Sequence, residues 1–256
     1  MCTLSFVPRV EGYGVGMNRD ELRLRERALF PQIYQREQIL AAYPSEPEGG
    51  PWIAVNGFGM LLALLNWNLG NSCIATRKQR SRGELIPELI FREGLASVET
   101  VMRRRHLEGI LPFRLVGIDP EARAIREWRW DGAKVVVFGF PWNRKHWFSS
   151  SLSDRAAAEQ RAAACAAVSL SGKPEDSGLL RDLHRSHRSA AGAYSLCVHR
   201  PDAATVSYTE VLYDTHRISM SYIDGSPCES IGLHHVLEMP RSFGRLSYAR
   251  SAAPVF

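Results

Sequence analysis

Cys2 places a thiol at the second position of the chain, and an Asn18-Arg19-Asp20-Glu21 run closes the second of two strand-like segments that follow it. If Met1 is removed, which the small Cys2 side chain permits, one residue carries both a nucleophile and a free α-amine. The amine can then take the proton of its own thiol. An unperturbed thiol has a pKa of about 8.5 and an α-amine about 7.7 to 8.0, so the amine is partly neutral near physiological pH. A guanidinium beside the sulfur favours the thiolate further, and moving the thiol to ~7 takes roughly 2 kcal/mol. Asn66 ends the apolar run Met60 to Leu65. An amide there can donate to a developing oxyanion, or it can simply bond to backbone at a strand end.

These groups need elements to hold them. Residues 2–7 alternate as a strand, with Cys2, Leu4 and Phe6 on one face and Thr3, Ser5 and Val7 on the other. A second strand over 12–18 carries Gly12, Gly14 and Gly16, which leaves one face bare and is expected to make space beside the nucleophile. On a regular strand Arg19 and Asp20 point to opposite faces. Either the strand ends or bulges there, or only one of the two reaches Cys2. Residues 22–48 lose periodicity among charges, aromatics and prolines and read as a long surface excursion able to border a pocket. Residues 52–67 read as a hairpin turning at Asn56-Gly57. Helix is expected over 85–106 with a break near Gly94, three strands over 113–140, and a short strand over 146–151. Helices over 154–167 and 176–191 precede strands over 194–199, 205–213 and 217–223. The order is α+β and suits two stacked sheets with helices outside, without separating that sandwich from other layered folds.

The opening Met1-Cys2-Thr3, the NRDE run at 18–21 and Gly49-Gly50-Pro51-Trp52 together resemble the NRDE family, also called the transport and Golgi organisation protein family, whose third motif is usually GGTW. The resemblance continues through Ser81-Arg82-Gly83-Glu84-Leu85, residues 146–154, and His199-Arg200 with Ala204-Thr205-Val206, to about residue 225. That family is similar in turn to N-terminal nucleophile hydrolases of the choloylglycine hydrolase and penicillin V acylase kind. The resemblance implies a four-layer αββα sandwich and one such domain over residues 1–256. It also implies site roles. Arg19 becomes the thiolate stabiliser and Asp20 the holder of the α-ammonium, although the related hydrolases do not place these two residues side by side; a structural ion pair is the other reading. Ser150 stands where many members carry a carbonyl-binding asparagine, and it can equally belong to a helix N-cap with Ser151, Ser153 and Asp154. Arg200 matches a late arginine able to hold a substrate carboxylate, or is a plain surface arginine. Trp52, from the third motif, joins Ser150 and Arg200 as a substrate contact.

Composition narrows the alternatives. The 256 residues suffice for a substantial core, and 45% hydrophobic with 23% charged residues is ordinary for a globular chain. No apolar run approaches the ~20 residues of a membrane span. A nucleophile at position 2 leaves no room for a cleaved leader, so a cytoplasmic location is expected. A net charge of +5 is modest, and the Arg103-Arg104-Arg105 run lies at a predicted helix end without interleaved aromatics, which argues against nucleic acid. The five cysteines, Cys2, Cys73, Cys165, Cys197 and Cys228, include no CxxC pair; Cys165 and Cys197 read as small core residues. His184 with His187, and His234 with His235, lack a surrounding ligand cluster, so no metal is expected. No phosphate-binding glycine motif suggests a nucleotide, and no cofactor is expected. Thr3 after the nucleophile, where glutamine amidotransferases usually carry glycine, disfavours that variant. Two functions remain. One is hydrolysis of a linear amide in a small-molecule amide or acyl ligand; the other is non-catalytic acyl, lipid or haem carriage on the same scaffold.

Overall fold

The alternation of residues 2–7 becomes strand β1 (Cys2–Arg9) in the computed structural model, which describes residues 1–47, 49–69, 80–169, 178–187, 190–229 and 235–242. The chain continues through β2 (Gly12–Leu22), β3 (Leu29–Arg36), β4 (Ile39–Ser45), β5 (Ile53–Asn56) and β6 (Leu61–Asn66). A 3-10 turn at Arg82–Glu84 leads into helices α1 (Leu85–Leu89) and α2 (Leu95–Arg104). Then come β7 (Phe113–Asp119), β8 (Ala124–Trp130), β9 (Val135–Phe140), β10 (Lys145–Ser149), α3 (Asp154–Ser169), α4 (Leu179–Arg185), β11 (Ala203–Tyr213), β12 (Arg217–Asp224) and β13 (His235–Pro240).

Two antiparallel sheets result. One runs β10-β1-β2-β11-β12-β13, and the other is the sequential meander β3 to β9. Leu4, Phe6, Val15 and Met17 of the first sheet pack against Val55, Leu61, Ala63 and Val116 of the second, all fully buried. Removing such side chains from water is worth about 1.5–3 kcal/mol each. Outside the second sheet, Leu85, Leu89 and Val98 of α1 and α2 cover Leu62, Leu64 and Leu115. Outside the first, Cys165 and Leu183 of α3 and α4 pack with Phe148 and Leu196. The architecture is therefore the four-layer αββα sandwich. Among the described residues no helix is long and apolar enough to cross a membrane.

Three expectations need correction. The excursion at 22–48 is largely the hairpin β3-β4. Its strand β3 lies at the edge of the sheet with most side chains exposed, so it carries little of the apolar alternation that marks a strand. Tyr34 and Tyr43 stack across it at 4.1 Å. The segment 194–199 is irregular, and among the described residues its sheet-type pairing is limited to isolated bridges at Val198 and His199. Gly14 and Gly16 do not open space beside Cys2. Gly16 pairs with Ser5 and Gly14 with Val7, on the helix-facing side, where a Cβ would come within 2.9 Å of Leu180 and 3.0 Å of His184. The bare face seats α4. Cys73 and His234 lie outside the described residues.

Candidate active site

Antiparallel pairing sets Cys2 directly opposite Arg19, so both side chains share the inner face, while Asp20 shares the helix-facing side with Asn18. The β1-β2 hairpin thus resolves which member of the adjacent pair accompanies the thiol. Strand β2 runs regularly through both residues, and the irregularity lies in β11, between Thr205 and Ser207.

Cys2 opens onto a cavity of about 170 Å³ at the end of the sandwich, whose walls include Arg19, Glu46, Trp52, Asn66 and Arg82. Backbone sterics bring distant motifs to this wall. A Cβ on Gly50 would lie 2.0 Å from the Gly83 carbonyl oxygen, and one on Gly83 would lie 2.6 Å from the Gly50 nitrogen. The Gly49-Gly50-Pro51-Trp52 and Ser81–Leu85 segments therefore cross main chain on main chain, which delivers both Trp52 and Arg82 to the cavity.

Arg19 is nearly fully buried. It sits 2.5 Å from Glu46 and 4.6 Å above the Trp52 ring. Arg25 pairs with the other Glu46 oxygen. Burial pushes the Glu46 carboxyl up, but the bond from Arg25 and the charge of Arg19 outweigh it and the net direction is down. Glu46 therefore stays ionised and offsets Arg19. Arg82 differs. It donates to the Pro112 carbonyl at 3.1 Å and forms no ion pair among the described residues. Burial lowers its pKa, with Cys2, Glu21 and Glu46 acting in the opposite sense.

The Cys2 thiol is raised. Burial is the largest cause; the Met1 α-ammonium lowers it, Asp20 raises it and Arg19 lowers it. In the chain carrying Met1 the two cations do not offset burial, so the thiol lies above its usual value.

Met1 is itself a structural element. Its ammonium donates to the Asp20 carbonyl, and the Asp20 N–H donates back to the Met1 carbonyl, each at 2.9 Å. Asp20 thus meets the terminus through backbone. Its carboxylate accepts from the Thr205 hydroxyl at 2.7 Å and faces Arg161 at 3.5 Å. Burial raises it, opposed first by Arg161. Arg161, on α3 and fully buried, also donates to Thr3 Oγ1 at 2.9 Å and reaches the carbonyls of Ser149 and Cys2 at 3.3 and 3.5 Å. The Cys2 N–H donates to Ser149 Oγ at 2.9 Å.

Of the residues singled out in the sequence, the cavity gathers Cys2, Arg19, Trp52 and Asn66. Ser150 is turned away: its N–H donates to Asp154, its hydroxyl accepts from Leu152, and its carbonyl accepts from Asn68. It serves the approach to α3. Arg200 is held by Asp202 and reaches Ser151 Oγ at 3.1 Å and the Met1 sulfur at 3.9 Å, so it borders the space that Met1 fills. Asn18 is buried and ties His184 and Leu196 to β2. Glu21 lies on the cavity wall. Sequence reasoning gave no role to Glu46, Arg82 or Arg161.

A cysteine at the head of an inner strand, in a sandwich of two antiparallel sheets between helix layers, defines the N-terminal nucleophile hydrolase fold. Residues 11–137 match the model of the family described as Transport and Golgi organisation 2, and over that stretch the chain resembles this family. The structure is similar to penicillin V acylase from Agrobacterium tumefaciens, at 9% identity and a TM-score of 0.50, covering 94% of this chain and 86% of that one. It is also similar to the C2A mutant of conjugated bile acid hydrolase from Clostridium perfringens, at 9% identity and a TM-score of 0.55, covering 96% and 100%. At such identities the likeness concerns the fold. No curated protein matches the chain.

Proposed function

We propose that the protein is a cysteine N-terminal nucleophile hydrolase that cleaves a linear, non-peptide amide bond, with Cys2 as nucleophile once Met1 is removed. The observation that carries this reading is the pairing of Cys2 with Arg19 on the inner face, opening onto a cavity walled by Asn66 and Arg82. Cavity size supports the processing step. About 170 Å³ is below the roughly 300–1,000 Å³ usual for small-molecule sites, and loss of Met1 extends the cavity toward Ser151 and Arg200.

In the processed chain the Cys2 α-amine takes the thiol proton, and the sulfur attacks the amide carbon. Negative charge develops on the carbonyl oxygen, where the Asn66 amide and a backbone N–H donate; one such donor is worth about 2.7–4 kcal/mol. As the tetrahedral species collapses, the C–N bond breaks and the α-ammonium protonates the leaving nitrogen. Water, deprotonated by the same amine, then attacks the thioester carbon; the C–S bond breaks and the free enzyme returns. Arg82 faces this centre without a carboxylate partner among the described residues, and Arg200 borders the extended cavity. Both suit an anionic group on the substrate. The charged walls disfavour the alternative, an acyl, lipid or haem carrier, whose ligand would need an apolar lining.

The test is turnover of a panel of N-acyl amides, including penicillin V and a conjugated bile acid, by chain verified to begin at Cys2. Cys2→Ala is expected to abolish hydrolysis while keeping the thermal melt. Hydrolysis persisting in that variant overturns the reading.

A further inference from the structure

His187 follows α4, Cys197 and His199 lie in the irregular segment ahead of β11, and Cys228 lies in the turn after β12. The fold brings the donor atoms of all four within 4.8 Å of one another. Cys197 Sγ is 3.3 Å from Cys228 Sγ. His199 Nε2 is 3.6 Å from the first sulfur and 3.2 Å from the second. The His187 ring lies 4.9 Å from that of His199, and its Nε2 is buried without a hydrogen-bond partner among the described residues. The sequence reading of Cys197 as a buried residue holds, but it saw no ligand set around His187.

We propose that these four side chains bind one zinc ion. The geometry fits a tetrahedral centre. Bonds of about 2.3 Å to sulfur and 2.0–2.1 Å to nitrogen place neighbouring donors about 3.3–3.8 Å apart; Cys197, Cys228 and His199 stand 3.2–3.6 Å from one another, and the His187 donor lies within 4.8 Å of all three, so a modest turn of its ring completes the set. Two thiolates with two imidazoles are the donor set of a closed structural zinc site. The remaining nitrogen of His199, Nδ1, is 3.8 Å from Glu229. A carboxylate on the outer nitrogen of a ligating histidine is the usual way its tautomer and ring are fixed. A disulfide would account for two of the four residues but not for two imidazoles converging on the same point, and its sulfurs would be about 2.05 Å apart. Cys197 is buried while the other three are partly exposed, so the ion can enter from the surface. On binding, both thiols release their protons to solvent.

The site also has a structural consequence. Val198, between two ligands, donates to Thr205 Oγ1 at 2.8 Å and accepts from the Thr205 N–H at 3.0 Å. The Thr205 hydroxyl donates to Asp20. The ion would therefore brace the segment that backs the strand carrying Arg19, and this holds whether or not Cys2 is a nucleophile.

The experiment is metal analysis of the full chain, purified under reducing conditions without chelator, with cobalt(II) titration of the metal-free protein. The expected result is one zinc per chain, kept in Cys2→Ala and reduced at least tenfold in the Cys197→Ala/Cys228→Ala double variant. Cobalt should give thiolate charge-transfer bands with the intense visible bands of a tetrahedral ion. If the double variant does not fold, the wild-type cobalt spectrum and its loss in His199→Gln decide. Absence of zinc after zinc addition, a non-tetrahedral cobalt spectrum, zinc retained by the folded double variant, or a Cys197–Cys228 disulfide in native protein each overturns the proposal.

Discussion

Cys2 stands by itself among cations on the inner face of a regular strand, whereas Cys197 and Cys228 stand against each other and two imidazoles in irregular chain. The first thiol is held by sheet hydrogen bonds and by Ser149, and space around it is limited by Met1. The second pair rests on segments with little regular structure of their own. A nucleophile needs a rigid mount and an open approach to carbon. A structural metal site needs convergent donors and itself supplies the rigidity that the local chain lacks. The same residue type thus serves two different ends, decided by what surrounds the sulfur.

The largest expected effect is a double dissociation between these corners. Cys2→Ala should lose all covalent labelling by a strained lactam yet keep its zinc, and the Cys197→Ala/Cys228→Ala variant should lose zinc yet still label at Cys2. Metal content and peptide mapping on the same samples read both, and loss of labelling at Cys2 in a folded, zinc-free double variant would merge the two corners into one.

A smaller effect concerns acid stability. Burial pushes His146 down to about 4 and His184 down to about 3, and both rings share the Ser5 hydroxyl at 2.9 Å. Their folded pKa values lie below the unfolded value near 6.5, so the unfolded chain takes the protons first. Stability is full above about pH 6.5 and falls as pH drops toward 4. At pH 5 each contributes a loss of about 2 kcal/mol. Urea midpoints at pH 7 and 5 measure it. Because neither ring belongs to the metal cluster, the slope should persist in zinc-free protein; a slope that vanishes with the zinc would assign the acid sensitivity to the metal corner.

The smallest effect is at Arg19. Arg19→Leu removes the cation opposite the thiol, leaves Glu46 paired with Arg25 alone, and should raise the apparent pKa for Cys2 alkylation by about one unit, whereas Glu46→Gln frees the guanidinium and should lower it. Alkylation rate against pH, resolved by peptide, should show Cys228 unchanged in both. Equal shifts at both thiols would mean a global loosening.

Legibility followed locality. Alternation in the neighbouring strands β1 and β2 showed that only one of Arg19 and Asp20 could accompany Cys2 on a regular strand, the family resemblance favoured Arg19, and the register Cys2 opposite Arg19 decides it. The same parity carried a warning about the glycines: positions 14 and 16 are in step with Asp20, not with Arg19, so their bare face had to lie away from the thiol. Arg161 also left a signal. It is the charged member of the buried α3 stripe Ala157, Arg161, Ala164 and Cys165, four and three residues apart. Arg82 sat inside a segment already noted for its family resemblance, but only the Gly50–Gly83 crossing shows why it reaches the cavity. Glu46 was hidden by the hairpin at 29–45, whose exposed edge strand lacks apolar alternation and whose turn uses Glu37 at φ 55 in place of glycine. The metal cluster was least legible, since its four donors come from segments joined only by tertiary packing.

The central claim, that Cys2 is a nucleophile once its amine is free, is tested most directly by intact mass and peptide mapping of the mature chain after exposure to a β-lactam. The account predicts a chain lacking Met1 that gains one acyl group, located on Cys2, and loses it again in water. A native chain that retains Met1, or one whose Cys2 stays unmodified while other thiols react, would contradict it.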